Sequence, residues 1–236
     1  MRRRRIPGLA FALFLLAATI ACAQNASGGE VRARLSLSKP AERRHMPSAV
    51  LWLKPLQDTP AAPFVSSQSY TLLQKNRMFR PHLLVIPVGG MVEFPNADPF
   101  FHNVFSLFDG KRFDLGLYET GSTKSVTFSS EGVSYIFCNI HPEMSAVVLT
   151  LSTSLFAIAD SSGTFHLSGV PPGDYEMHVW IEGVPQPTLN NMTRRVHLST
   201  AATDLGKVEI PEDLPLTTSH QNMYGHSYDR DVKPAY

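Results

Sequence analysis

The stretch Tyr135-Ile-Phe-Cys-Asn-Ile-His-Pro-Glu-Met144 follows a run of β-forming residues and carries a thiol (Cys138), an imidazole (His141) and a thioether (Met144), spaced three residues apart. That spacing closes a short loop on which three soft or borderline donor atoms can turn toward one point. Upstream, Phe94-Pro-Asn-Ala-Asp-Pro-Phe-Phe-His-Asn-Val-Phe-Ser106 brings a second imidazole, His102, to the start of another strand. A thioether is a poor partner for hard ions, and thiolate, imidazole and thioether together favour copper over zinc. One thiolate, two imidazoles and a weak thioether are the donor set of a blue-copper electron-transfer site. A geometry acceptable to both Cu(I) and Cu(II) limits rearrangement when an electron is gained or lost.

Each of these residues alone has a plainer reading. Cys138 and Met144 can be core residues at strand ends, and His102 a hydrogen-bonded core histidine. It is the four together, in strand context, that point to a metal. A Cys-His nucleophilic pair lacks an orienting acid and a nucleophile-elbow context. A c-type haem needs Cys-x-x-Cys-His, which is absent, and one thiol cannot hold an ordinary iron–sulfur cluster.

The rest of the chain supplies the setting. With 236 residues there is room for one large or two modest domains, and the 18 Pro and 15 Gly are scattered among short Val, Phe, Leu and Ile runs. That pattern predicts an all-β protein. Residues 1–23 read as a signal peptide: Arg2 to Arg5 are basic, residues 9–20 are apolar, and Ala21-Cys22-Ala23 fits a small-x-small cleavage site. The apolar stretch is too short to span a bilayer and no later segment replaces it, so the expected mature protein is periplasmic or otherwise exported, with no transmembrane span. A lipid anchor through Cys22 is the rival reading, disfavoured because Thr19 stands where such signals usually carry Leu.

Cleavage removes four Arg and leaves 17 basic residues against 20 acidic ones, a net charge of −3. Nucleic acid is then excluded as a partner, since phosphate binding needs a basic face. Cleavage also removes Cys22, leaving Cys138 as the single thiol of an exported protein. Metal ligation explains how such a thiol persists in an oxidising compartment, because the metal deprotonates and occupies it.

Strands are predicted over residues 30–37 and 48–53, followed by a loop rich in Pro and Ala at 58–63, where a domain boundary is placed. Short strands then follow at 70–74, 82–87, 91–94, 103–107, 125–128, 133–138 and 146–151. Gly89-Gly90, Asp109-Gly110 and Glu131-Gly132 provide turns. Strands this short at regular spacing suggest a β-sandwich, with the Cys138 loop joining two adjacent strands at one end.

Residues 65–151 resemble a cupredoxin, the Greek-key β-sandwich of plastocyanin and amicyanin. The loop Cys138-x-x-His141-x-x-Met144, with Pro142 after the histidine, is most like amicyanin, and His102-Asn103-Val104 is similar to the family's first-histidine motif. The turn Pro87-Val88-Gly89 before Val92-Glu93-Phe94 resembles the family's strand entry. The resemblance implies one copper ion, with His102, Cys138 and His141 as equatorial ligands and Met144 as the axial one. It implies that Asn103 ties the two ligand loops together. Asn139, Ile140 and Glu143 depart from amicyanin-type loops. Phe100, Phe101, Ile140 and Pro142 flank the ligands, and an apolar rim there, where His141 meets solvent, would suit transient docking of a redox donor and acceptor. Alternatively, the two Phe shield the metal inside the core.

Beyond residue 151, strands are predicted at 155–159, 163–168, 175–181, 196–199 and 205–210, with turns at Asp160-Ser-Ser-Gly163 and Pro171-Pro-Gly-Asp174. The run Gly163-Thr-Phe-His-Leu-Ser-Gly-Val-Pro-Pro-Gly-Asp-Tyr175 resembles the carboxypeptidase-regulatory-like or transthyretin-like β-sandwich modules, and Glu30-Val31 through Val50-Leu51-Trp52-Leu53 is similar to their opening strands. A discontinuous module is therefore expected, residues 28–60 plus 152–211, with the cupredoxin inserted between. That reading fails if Val50 and Trp52 pack only against the copper domain. His45, His82, His166, His178 and His197 lack metal-ligand company. The polar tail, residues 212–236, holds His220-x-x-Met223-x-x-His226, a weak copper-loading motif.

Three functions follow. The favoured one is an exported type 1 copper protein carrying single electrons between redox proteins without transforming a substrate. The others are a copper storage or delivery protein, and a non-redox β-sandwich module binding a cell-surface polymer.

Overall fold

The structure is a computed structural model describing residues 28–37, 46–56, 59, 69–107 and 110–210. The expected signal peptide with Cys22, His45, Asp109, most of the loop at 58–63 and the tail with His220, Met223 and His226 lie outside the described residues.

The chain is almost entirely β. The first two strands, β1 (Gly29–Leu37) and β2 (Ala49–Pro55), precede a run of ten: β3 (Ser69–Thr71), β4 (Leu73–Gln74), β5 (Phe79–Arg80), β6 (Leu83–Pro87), β7 (Gly90–Pro95), β8 (His102–Ser106), β9 (Phe113–Tyr118), β10 (Thr123–Phe128), β11 (Gly132–Phe137) and β12 (Ser145–Leu151). The last part holds β13 (Phe156–Ile158), β14 (Thr164–Val170), β15 (Gly173–Ile181), a short helix α1 (Gln186–Asn191), β16 (Arg194–Leu198) and β17 (Thr203–Ile210).

The five-stranded sheet β6-β12-β11-β8-β9 explains the strongly apolar sequence of β12. Residues along a strand point alternately to opposite faces, so an apolar run without alternation marks a strand covered on both sides. On one face, Ala146 and Val148 of β12 and Ile136 of β11 join Val92, Phe94, Val126 and Phe128, which come from the sheet β10-β7-β3. On the other face, Val147, Leu149 and Leu151 join a second core with Leu51, Leu53, Phe165 and Val179. Each Val, Leu, Ile or Phe side chain so buried stabilises the fold by about 1.5–3 kcal/mol.

The second core lies between the sheets β14-β1-β17 and β13-β2-β15-β16. In β1, Val31, Ala33 and Leu35 are buried while Glu30, Arg32 and Arg34 are exposed, the alternation expected of a half-buried strand. The strand β1 runs antiparallel to β14 and parallel to β17, and β2 lies antiparallel between β13 and β15. Val50 stands opposite Ile158 and Trp180, and Trp52 opposite Phe156 and His178. Strands from the start of the chain are thus paired with strands after residue 155.

Besides the short strand β5 and the helix α1, two further elements differ from the sequence expectation. The run 70–74 is two short strands because Leu72 N donates to Glu93 O and turns the chain from β7 toward β5. The strand β9 was not anticipated: it is an edge strand, interrupted by Gly116 at φ +64°, with Asp114 in its middle, so its apolar pattern is weak. Gly89, at φ +85° between β6 and β7, takes a backbone conformation that suits glycine, and its N–H donates to Phe128 O at 2.7 Å.

Candidate metal centre

Strand β8 is buried along its whole length between β11 and β9, and His102 opens it with no exposed surface. Cys138 follows the last residue of β11, and Met144 precedes the first of β12. The loop between them is closed by Cys138 N donating to Met144 O at 3.3 Å and Met144 N donating to His141 O at 3.0 Å. These two bonds curl the backbone so that His141 turns back over Cys138.

The three donors converge. His102 Nδ1 and His141 Nδ1 are 3.1 Å apart, and Cys138 Sγ lies 3.9 Å from the first and 3.5 Å from the second. Three donors spread around one ion at about 2.0–2.3 Å, the lengths of nitrogen and sulfur bonds to a borderline metal, stand about 3.5–3.8 Å from one another. The observed distances bracket that spacing, so the set fits one small metal ion. His102, Cys138 and His141 form the His/Cys/Asp/Glu group suited to a metal among the described residues. Met144 is fully buried in the same core cluster as Cys138.

Around the donors a polar frame fixes their orientation. Asn103 Oδ1 accepts from Asn139 N at 3.3 Å, and Asn103 Nδ2 donates to Asp114 Oδ1 at 2.7 Å, linking the Cys138 loop through β8 to β9. The residue that sequence reasoning missed is Asp98. His102 Nε2 donates to its Oδ2 at 2.9 Å, which assigns the proton to Nε2 and leaves the Nδ1 lone pair directed at the donor cluster. Asp98 also accepts from Asn76 N at 2.6 Å and Arg77 N at 2.9 Å. Those two residues sit at φ 56° and 53° in the two-residue turn joining β4 and β5. Such a turn usually carries Asn-Gly or Asp-Gly, and Asn76-Arg77 lacks the glycine that would have marked it.

Electrostatics hold the donors neutral without metal. Burial lowers the pKa of His102, outweighing the bond to Asp98. Burial and then the neighbouring His102 push His141 down to about 4. The Cys138 thiol is pushed up by burial, against the opposing effect of the Asn103, Ile140 and His141 backbone N–H groups. For Asp98 burial acts upward, but the N–H of Arg77, the His102 ring and the N–H of Asn76 together hold its carboxyl below the usual range. Neutral imidazoles offer lone pairs, and the thiol would lose its proton on binding a metal.

The expectation that His141 meets solvent is corrected. His141 is 2% exposed. The Phe100 ring lies 5.3 Å from the His102 ring and 5.5 Å from the His141 ring, with the Arg77 guanidinium 5.3 Å above it. Phe100 therefore shields the imidazoles, while Phe101 is 54% exposed and Pro142 is exposed. Of the other histidines, His82, His166, His178 and His197 each pair with a carboxylate.

No family model and no curated protein matches the chain. Solved structures similar to it include a Cu-containing nitrite reductase (NirK) from Thermus scotoductus SA-01, 25% identical, with a TM-score of 0.35 over 42% of this chain and 25% of that one. A purple cupredoxin from Nitrosopumilus maritimus is 26% identical, with a TM-score of 0.32 over 35% of this chain and 99% of that one. A reduced Cu(I) form of an amicyanin variant is 20% identical, with a TM-score of 0.34 over 43% and 98%. One is a copper enzyme and two are cupredoxins. The chain spans a quarter of the nitrite reductase's length, and likeness at these scores is partial, so the functional argument rests on the donor geometry. Among the described residues no helix is long and apolar enough to cross a membrane.

Proposed function

We propose that this chain is an exported type 1 copper protein that carries single electrons between redox partners, with His102, Cys138 and His141 as close ligands and Met144 as a weak fourth. The observation that supports this most is the convergence of two imidazole Nδ1 atoms and one thiol sulfur at 3.1–3.9 Å in a buried pocket. Copper bound there would supply a one-electron couple between Cu(I) and Cu(II). The chain's own part is to keep the donors in place: Asp98 holds the His102 tautomer, Asn103 pins the Cys138 loop, and Phe100 with Arg77 keeps water from the imidazoles. Redox partners dock near His141, where Phe101 and Pro142 are exposed. Residues 65–151 form the copper domain, and residues 28–60 with 152–211 a discontinuous β-sandwich module; the pairing of β1 and β2 with β13 to β17 supports that division.

Storage or delivery asks for donors open to exchange, whereas His102, Cys138 and Met144 have no exposed surface. Voltammetry of the copper-loaded chain, combined with challenge by a Cu(I) chelator, tests the reading. The carrier predicts a reversible one-electron wave and slow loss of copper. An irreversible wave with rapid transfer of copper to the chelator would replace electron transport with delivery.

A further inference from the structure

The outer face of β12 is held along most of its length by apolar contact, since Val147, Leu149 and Leu151 enter the core shared with the second sandwich. Its first residue, Ser145, lies outside that core and follows Met144 directly. Here a polar link takes over. The His82 ring, just before β6, has Nδ1 3.2 Å from Ser145 O and Nε2 2.7 Å from Glu182 Oε1. The backbone of the same residue also grips the strand, with Val147 N donating to His82 O at 2.8 Å.

Both ring partners are acceptors. A backbone carbonyl and an ionised carboxylate cannot donate, so Nδ1 and Nε2 each carry a proton and the ring is an imidazolium, matched in charge by Glu182. Glu182 is itself fixed in the second sandwich. It follows the last residue of β15, and its N–H donates to Ser48 O at 2.9 Å, just before β2. The contacts thus run from Ser48 through Glu182 and His82 to Ser145, the residue beside Met144.

Met144 closes the metal loop on both sides, its N–H donating to His141 O and its carbonyl accepting from Cys138 N. A shift of the strand start at Ser145 therefore moves the peptide that closes the loop, and the thioether with it.

We propose that the second sandwich is a positioning partner of the metal loop: Glu182, acting through the His82 ring, fixes the start of β12 and so the placement of Met144. His82 and Glu182 are positioning residues, working on the donors through the Ser145 backbone. The consequence for copper rests on the metal reading above, whereas the rigidity of the loop is read without metal.

Amide hydrogen exchange of the full, metal-free chain reads the link at Cys138 and Met144, the two N–H groups that close the loop. His82→Ala and Glu182→Ala should each speed exchange there about two- to fivefold, the worth of a partly exposed pair. The Leu35 and Leu53 N–H groups, bonded to Gly163 O and Leu155 O in the second sandwich, should keep their rates. Glu182→Gln keeps an acceptor for Nε2 and should fall closer to the unsubstituted chain than Glu182→Ala. The double variant should exchange no faster than His82→Ala, because both substitutions break one chain of contacts. In the copper-loaded chain, the same variants should lose copper to a Cu(I) chelator faster, in the same order. Unchanged exchange at Cys138 and Met144 in both folded variants, equal acceleration at Leu35 and Leu53, or unchanged copper loss despite faster loop exchange would overturn the proposal. Faster loop exchange in a chain that takes up no copper would uphold the link and count against the metal reading instead.

Discussion

Asp98 is the side chain on which the geometry of the candidate metal centre turns. A carboxylate on the far nitrogen of a ligating imidazole fixes its tautomer and raises its basicity, and losing such a partner typically costs about 10–100-fold in metal affinity. Asp98→Asn is therefore expected to weaken copper binding by roughly that factor in a competition titration. The imidazoles give a second prediction. Burial lowers the pKa of both, so between His141's folded value of about 4 and the usual 6.5 the unfolded chain binds protons that the folded chain does not. The stability of the metal-free protein is full above about pH 6.5 and falls as pH drops toward 4, and the urea midpoint should follow that slope. A His141→Phe variant should show a shallower slope. The nearness of Cys138 and His141 was legible from sequence because one loop carries them at fixed spacing. Asp98 was not, since its role depends on a glycine-free turn at Asn76-Arg77 folding against it from more than 20 positions away.

At the level of elements, β12 decides how the layers are joined. Its odd-numbered residues enter one core and its even-numbered residues the other, so truncation on either face damages a different layer. Leu149→Ala is expected to cost about 2–5 kcal/mol and Val148→Ala less, read from denaturant midpoints. The apolar run at 146–151 announced this strand, because a strand covered on both faces shows no alternation. Strand β9 was hidden for the opposite reason. Asp114 is spent on Asn103 and on the Gly116 N–H, and Gly116 bends the strand, so little of its length reads as β.

For the whole molecule, the apolar contact between the two sandwiches outweighs the ion pairs that cross it. His82 Nε2 lies 2.7 Å from Glu182 Oε1 and Lys54 Nζ 2.6 Å from Glu131 Oε2, but all four side chains are about a third or more exposed. Such pairs contribute about 0–1 kcal/mol. Glu182→Gln should accordingly lower the melting temperature by only a few degrees. Its effect has a definite sign with pH: the bond to Glu182 raises the His82 pKa against the effect of burial, so the contribution is full below about 6.5 and fades as pH rises through the raised value. Because Val147, Leu149 and Leu151 belong to a core shared with the second sandwich, tryptophan fluorescence and copper absorption should report one coincident unfolding transition. Sequence periodicity located most of these strands, but the contact between the sandwiches depends on which faces meet, and that information lies in the pairing of distant strands.

The central claim is that Cys138, His102 and His141 bind one copper ion together. The visible absorption of the mature protein loaded with Cu(II), beside Cys138→Ser, tests it most directly. An intense thiolate-to-copper charge-transfer band that disappears in the variant is the predicted result. A colourless copper complex, or a spectrum unchanged by the substitution, would contradict it.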